Sequence, residues 1–151
     1  MKSILFVCLG NICRSPLAEG IARKYINDNN LNIEVDSCGT GGWHVGETPC
    51  ENSIKVAKLH DLDISDLRAR QITKKDFEEF DTIIALDDNN VADLLQLGCP
   101  KNKLSKLGFY GYDNEDVPDP YFFNGFEGFK KVYTMVNDSV KNLINTQQGQ
   151  L

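Results

Sequence analysis

The chain has 151 residues, of which 41% are hydrophobic and 25% are charged, and this is the make-up of an ordinary globular domain. A chain of this length buries a sizeable core without a disulfide or a metal, so we expect a single domain over residues 1–151. Sixteen Lys and Arg against 22 Asp and Glu give a net charge of −6, which repels nucleic acid and anionic lipid and makes both unexpected partners.

The N-terminal apolar run, Ile4–Leu9, is far shorter than the roughly 20 residues that cross a membrane, and shorter than the apolar part of a signal peptide. We therefore expect a cytoplasmic protein. The cysteines are odd in number and follow no zinc-ligand spacing, so free thiols and no metal or cofactor are expected. They are Cys8, Cys13, Cys38, Cys50 and Cys99.

The first predicted unit is a strand, a tight loop and a helix. Ser3–Leu9 is a continuous apolar run that Gly10 ends, as in a strand buried on both faces of a parallel sheet. Ser15 is predicted to cap the following helix, with Pro16 at its first position. Apolar residues then recur at helical spacing, at Leu17, Ile21, Tyr25 and Ile26.

A second strand is predicted at Ile33–Ser37, followed by an irregular loop rich in glycine. Thr48, Pro49 and Glu51 resemble a capping box with proline at the first helical position, which predicts that the next helix begins there.

Two more strands are predicted at Thr82–Leu86 and, more weakly, at Leu104–Leu107. Between them Asp87 and Asp88 can cap a helix that Gly98 ends. The last helix has the clearest apolar face. Its members are Phe126, Phe129, Val132, Tyr133, Val136, Val140, Leu143 and Ile144.

Repeated strand-helix units predict a three-layer, doubly wound α/β fold: a mainly parallel four-stranded sheet with helices on both faces. Ligands bind such sheets beyond the carboxyl ends of the strands, where the strand order reverses. The loops that begin at Cys8, Ser37 and Asp87 therefore carry the candidate site, together with a long loop over Tyr110–Asn124.

The first of these loops has the spacing of a phosphate-binding loop, Cys-x5-Arg-Ser. It lies between a strand and a helix N-terminus, where backbone N–H groups and the helix dipole hold anions. Gly10 lets the backbone approach the anion, and Asn11 tolerates a left-handed conformation. The predicted anion-binding residues are Leu9, Gly10, Asn11, Ile12, Cys13, Arg14 and Ser15.

In this setting Cys8 is the candidate nucleophile, because the loop amides, the helix terminus and Arg14 all favour a thiolate. The planar fork of Arg14 can bind two phosphoryl oxygens and stabilise transition-state charge. A leaving oxygen also needs an acid. Asp119 is the candidate, since Pro118 and Pro120 on either side of it stiffen the loop that aims its carboxyl group.

Together, Cys8–Pro16 and Asp119-Pro120-Tyr121 resemble the low-molecular-weight protein tyrosine phosphatases. The likeness continues over nearly the whole chain, through Asp36–Thr40, Trp43, Ala69–Lys74 and Asp81–Asp87. It implies hydrolysis of phosphotyrosine proteins or small aryl phosphates through a phosphocysteine on Cys8, with Arg14 as phosphate clamp and Asp119 as general acid and base. It also implies inhibition by phosphate-like oxyanions.

The same resemblance assigns roles around the loop. Asn11, Ser15 and Ser37 would brace the loop and the thiolate, and the walls of the substrate pocket would be Trp43, Tyr121 and Phe122. Relatives form a disulfide between the cysteines that correspond to Cys8 and Cys13, and the curl of the loop is expected to bring their Cα atoms within bonding range. This implies redox control. Leu67 departs from the family, many of whose members have a histidine there.

Three alternatives use the same loop. Thioredoxin-coupled arsenate reductases need a closely spaced cysteine pair beyond the third strand, where this chain has only Cys99. Protein-arginine phosphatases tend to have threonine at the position of Ile12, whereas isoleucine favours tyrosine. A silent phosphotyrosine-binding module would have no need for both a nucleophile and an acid, and turnover of p-nitrophenyl phosphate separates it from an enzyme.

Overall fold

The computed structural model describes residues 2–120 and 126–147. Its sheet has four parallel strands: β1 (Lys2–Cys8), β2 (Ile33–Gly39), β3 (Thr82–Ala85) and β4 (Leu104–Lys106). They lie in the order β2-β1-β3-β4, so the chain passes to one side of β1 and then to the other. The order reverses at β1, and a crevice therefore opens at its carboxyl end.

Within the described residues, five α-helices cover the two faces of this sheet. On one face, α1 (Arg14–Asp28), α2 (Glu51–Lys58) and α5 (Glu127–Gln147) bury the side chains of Ile4 and Phe6. On the other, α3 (Lys74–Glu79) and α4 (Asp88–Gln96) pack on Leu5 and Val7. Successive residues of β1 point to opposite faces of the sheet, and helices cover both faces. All four of these β1 side chains are therefore fully buried. The predicted three-layer α/β fold is confirmed.

Two predicted helix starts are wrong. Helix α1 begins at Arg14, so its N-cap residue is Cys13, whose side chain makes no capping hydrogen bond. Ser15 is already inside the helix, and its hydroxyl is bonded within the preceding loop. Helix α2 begins at Glu51, after an extended Cys50, so Thr48 and Pro49 precede the cap and form no capping box.

The start of α4 is as predicted, because Asp87 caps it. Asp87 Oδ1 accepts a hydrogen bond from Asn90 N, and Asp87 N donates to Asn90 Oδ1. Gly98 follows the helix with φ of +100°, a conformation that favours glycine. No helix within the described ranges is long and apolar enough to span a membrane.

Candidate active site

The loop from Cys8 to Ser15, here called the phosphate loop, curls around the sulfur of its first residue. Asn11 N donates a hydrogen bond of 3.3 Å to Cys8 Sγ, and Ser15 Oγ lies 2.9 Å from the same sulfur. Asn11 has a φ of +58°, which turns the loop back towards Cys8. At Gly39 a Cβ would lie only 2.7 Å from Leu9 O, so β2 presses closely against the loop.

The Asn11 side chain joins the loop to its surroundings. Its Nδ2 donates to Ser15 Oγ at 2.8 Å and to Ser37 Oγ at 3.0 Å, while its Oδ1 accepts from Arg70 N at 3.0 Å. The structure therefore brings Asn11, Ser15 and Ser37 into one network with Cys8. Every polar atom of the Asn11 side chain has a partner, so the loop conformation is held from several directions.

Glu19 ends this network and was not singled out in the sequence. Ser37 Oγ donates to Glu19 Oε1 at 2.6 Å, and Arg23 pairs with the other carboxylate oxygen at 2.7 Å. Burial raises the pKa of Glu19, against the opposing effect of the Ser37 hydrogen bond. The available signal was its position four residues after Ser15, on the same face of α1.

Arg14 is the buried cation of the site, with 3% of its surface exposed. Its Nη1 donates to Asp87 Oδ2 at 2.6 Å and to Val117 O at 3.0 Å. Burial opposes its charge, but the neighbouring Cys8 and Asp87 outweigh burial, and the pKa of Arg14 is raised. Asp87 therefore caps α4 and also fixes the guanidinium, a second role that its cap motif did not reveal.

Asp119 lines the same cavity as Cys8 and Arg14, with Oδ2 3.8 Å from Arg14 Nη2. About a third of its side chain is exposed (31%), so it is open to a ligand as well as to Arg14. Val117 N donates to Leu86 O at 2.8 Å, which ties the segment before Asp119 to the end of β3.

A cavity of about 290 Å³ opens above the loop. Trp43 forms part of its wall although 71% of the residue is exposed, and a Cβ at Gly41 would overlap its ring, so the indole lies on Gly41. His44 packs on Gly10 and pairs with Glu47 at 3.0 Å. The lining residues are Cys8, Leu9, Gly10, Ile12, Cys13, Arg14, Trp43, His44 and Asp119.

Comparison with known proteins places this site in a family. The model of the low molecular weight phosphotyrosine protein phosphatases matches residues 3–150. The chain belongs to that family. A low molecular weight protein-tyrosine-phosphatase, PtpA of Staphylococcus saprophyticus, is 45% identical over 148 residues, which are 96% of this chain and 93% of that protein.

Two solved structures show the same fold at similar distance. A protein tyrosine phosphatase of Entamoeba histolytica has a TM-score of 0.90 and 36% identity, and the match covers 100% of both chains. A Drosophila arginine phosphatase has a TM-score of 0.89 and 34% identity, and the match covers 98% of each chain. Phosphatases with different named substrates therefore share the scaffold, so the scaffold alone does not select the substrate.

Tyr121 and Phe122, predicted as pocket walls, are outside the described residues. Leu67 packs against the core on the α1 side. The hydrogen bond to the side-chain oxygen of Asn11 comes from the backbone N–H of Arg70. His60 stacks on Tyr133 at a ring separation of 3.8 Å, on another part of the surface.

The predicted partnership of Cys8 with Cys13 stays a prediction. What the structure shows is that Cys13 Sγ lies 2.7 Å from Cys50 Sγ. No sequence pattern connects these two residues, because 36 positions separate them and Cys50 follows a loop without regular structure.

Proposed function

We propose that residues 1–151 form one phosphatase domain that hydrolyses phosphotyrosine in proteins, and small aryl phosphates, through a phosphocysteine on Cys8. The observation that carries the proposal is the convergence of three groups on one cavity: the Cys8 sulfur, the Arg14 guanidinium and the Asp119 carboxyl group. Nucleophile, anion clamp and proton donor are the parts that such a reaction needs.

In the first step Cys8 Sγ attacks phosphorus, the S–P bond forms and the bond from phosphorus to the aryl oxygen breaks. Arg14 binds two of the phosphoryl oxygens, and Asp119 gives its proton to the leaving oxygen. Asn11 Nδ2 donates to Ser15 Oγ, and the Ser15 hydroxyl can donate to the Cys8 sulfur at 2.9 Å, a shorter contact than that to its other acceptor, Cys38 O at 3.5 Å. In the reaction we expect the Ser15 proton to point at Cys8. This proton stabilises the sulfur as a thiolate before attack and as a leaving group afterwards.

In the second step water attacks phosphorus from the pocket side. Asp119, now ionised, takes a proton from that water, the S–P bond breaks, and inorganic phosphate leaves with Cys8 restored. The product is itself a tetrahedral oxyanion that fits the loop and Arg14. We therefore expect inorganic phosphate and similar oxyanions to inhibit competitively.

The test is Cys8→Ser assayed with p-nitrophenyl phosphate, a phosphotyrosine peptide and a phosphoserine peptide. The wild type should hydrolyse the first two substrates, and acid quenching during turnover should trap a phosphocysteine on Cys8. It should act poorly on phosphoserine, whose shorter side chain reaches less far into the pocket. Cys8→Ser should be inactive. The matched control is Cys99→Ser, which alters a buried thiol beyond α4. Full activity in Cys8→Ser would overturn the proposal, and absence of turnover in the wild type would favour a binding module.

We also infer that the enzyme works in the cytosol. Its nucleophile is a thiol that must stay reduced, and the cytosol keeps thiols in that state. Fractionation of cells that express the tagged protein should give activity in the cytosolic fraction; activity confined to an oxidising compartment would contradict the inference.

A further inference from the structure

Next to the phosphate loop, two thiols that take no part in the reaction just described are in contact, those of Cys13 and Cys50. Cys13 lies at the end of the phosphate loop and lines the cavity, and Cys50 directly precedes α2. Cys13 Sγ donates a hydrogen bond to Cys50 Sγ over 2.7 Å. Neither sulfur is needed for attack on phosphorus, so their contact calls for a separate explanation.

Two hydrogen bonds hold the backbones of these cysteines side by side. Cys50 N donates to Ile12 O at 2.6 Å, and Ser53 Oγ donates to Cys13 O at 3.0 Å. A disulfide forms only where two backbone segments already approach each other closely. Here these two hydrogen bonds hold the start of α2 against the phosphate loop. A disulfide between Cys13 and Cys50 therefore needs little movement of either segment.

The two thiols also differ in acidity. The hydrogen bond from Cys13 lowers the pKa of Cys50 to about 6, with a further contribution from Ser53 Oγ at 3.2 Å. The same hydrogen bond, together with burial, raises the pKa of Cys13. Cys50 is therefore the more acidic thiol of the pair. A thiolate in contact with a neighbouring sulfur is the arrangement that thiol–disulfide exchange requires.

We propose that Cys50 is a resolving thiol that removes oxidation from the phosphate loop, so that peroxide treatment ends in a Cys13–Cys50 disulfide and a reduced Cys8. The proposal rests on the proposed function only in taking Cys8 as the reactive thiolate. It predicts a different final disulfide from the Cys8–Cys13 pairing that the family resemblance implies.

The chemistry balances with hydrogen peroxide as oxidant. The Cys8 thiolate attacks one peroxide oxygen, giving Cys8 sulfenic acid and hydroxide. The Cys13 thiol condenses with the sulfenic acid, giving a Cys8–Cys13 disulfide and water. The Cys50 thiolate then attacks Cys13 Sγ, the S–S bond to Cys8 breaks, and Cys8 leaves as a thiolate. Overall, two thiol groups lose two electrons to one peroxide, and Cys8 is regenerated.

The leaving sulfur is well placed for this last step. Cys8 Sγ is hydrogen bonded by Asn11 N and lies 2.9 Å from Ser15 Oγ, and both groups stabilise the thiolate that departs. The remaining two cysteines are poor competitors for Cys13. Cys38 and Cys99 are buried, and burial raises the pKa of each.

Disulfide mapping tests the proposal without using activity. Trypsin cleaves after Lys2 and Arg14, so Cys8 and Cys13 share the peptide 3–14, whereas cleavage after Lys24 and Lys55 places Cys50 in the peptide 25–55. After one equivalent of peroxide and alkylation, the wild type should lose two of its five thiols and show 3–14 joined to 25–55. Fragmentation should place the link at Cys50 and not at Cys38. A dominant disulfide inside 3–14, or a link at Cys38, would overturn the proposal.

A second arm compares variants. Cys50→Ser should have wild-type activity before oxidation, but should lose activity in proportion to added peroxide and regain it only with a thiol reductant. The wild type and the control Cys99→Ser should retain most of their activity after the same dose. Cys50→Ala repeats the arm with a side chain that cannot hydrogen bond. Equal survival of Cys50→Ser and the wild type would refute the resolving role, whereas an active Cys8→Ser would refute the proposed function instead.

Discussion

The two sides of the cavity are built in opposite ways. On one side the polar side chains of Asn11 and Arg14 in the phosphate loop are buried, and they are hydrogen bonded to Ser37 of β2, to Asp87 after β3 and to Val117. On the other side is the aromatic rim, Trp43 and His44: the Trp43 ring is largely exposed and lies on Gly41, and His44 is partly exposed and packs on Gly10. Fixed, desolvated groups stabilise a developing charge, while an exposed ring contributes contact area. We therefore expect the buried side to control the reaction at phosphorus and the rim to control which phosphate ester binds.

Replacing Arg14 by lysine should have the largest effect, because lysine keeps the charge but not the planar fork that binds two oxygens. We expect kcat/KM for p-nitrophenyl phosphate to fall by about 10³-fold, the upper part of the range for losing one stabilising donor. Steady-state kinetics on folded protein measures it. Arg68→Lys is the matched control, since Arg68 is exposed and bonds only the backbone of its own loop. A loss below tenfold would show that charge alone suffices.

Asp119 lines the cavity together with residues of both sides. The loss of activity caused by replacing it should depend on the substrate. For Asp119→Asn we expect kcat to fall by about 100-fold with phenyl phosphate, whose leaving oxygen needs a proton, and far less with esters of acidic phenols. The measurement is kcat across a series of leaving groups. Asp113→Asn, at an exposed position of the same connection, is the control. An equal loss across the series would remove the general-acid role.

Trp43→Ala should affect binding more than turnover, because stacking stabilises the ground state and the transition state alike. An aromatic contact of about 1 kcal/mol corresponds to an increase of about fivefold in KM for a phosphotyrosine peptide, with kcat nearly unchanged. Phe109→Ala provides the comparison, since Phe109 is similarly exposed (63%) but lies away from the cavity. If the two variants gave the same KM, the rim would not bind substrate.

The smallest effect concerns stability and pH. Burial raises the pKa of Glu19 above its ordinary value of 4.5, so the folded state binds a proton more tightly than the unfolded state. Stability is therefore highest below pH 4.5 for this group and falls as pH rises through the raised pKa. Relative to the wild type, Glu19→Gln should gain Tm as pH rises from about 4 to 7.

Asp76 provides a control of opposite sign. Burial is the largest single effect and opposes its charge, but the hydrogen bonds from Arg70 and Thr73 and the charge of Arg70 together outweigh burial and lower the pKa of Asp76 below 3.8. The stability that Asp76 contributes is present above that pH and is lost in acid, so the deficit of Asp76→Asn should shrink as pH falls below 3.8. Parallel Tm curves for the Glu19 variant and the wild type would contradict the expected effect of burial.

Local patterns predicted the parts of the molecule that depend on neighbours in sequence. The strand before Cys8, the cap at Asp87 and the apolar face of α5 all follow from short-range rules, and the structure has them. Helix α3 was not predicted, although Thr73 and Asp76 form a capping box, because six residues with one buried apolar side chain give a weak periodic signal.

The features of the site that the sequence did not predict depend on contacts between distant segments. Ser15 has the residue type of a helix cap, yet its hydroxyl bonds Asn11 and lies beside Cys8, and this competition is visible only once the loop has closed. Glu19 gains its meaning from Ser37 on another strand, and Cys50 from Cys13 on another loop. Spacing along the chain contains no information about such pairs until the sheet has brought them together.

The pairing of β1 with β2 continues past the last residues of both strands. Thr40 N donates to Cys8 O at 3.0 Å and Gly41 N donates to Leu9 O at 2.9 Å, so the backbone that leads to Trp43 is fastened to the phosphate loop as far as Gly41. The next backbone hydrogen bond from this segment to another part of the chain is that of Gly46 N to Ala69 O at 2.8 Å, so Trp43 lies on a short span, residues 42–45, between two fastened points. We expect motion of this span on the nanosecond-to-microsecond scale to displace the Trp43 ring without displacing the phosphate loop. Substrate exchange and bond breaking are then expected to depend on different parts of the backbone.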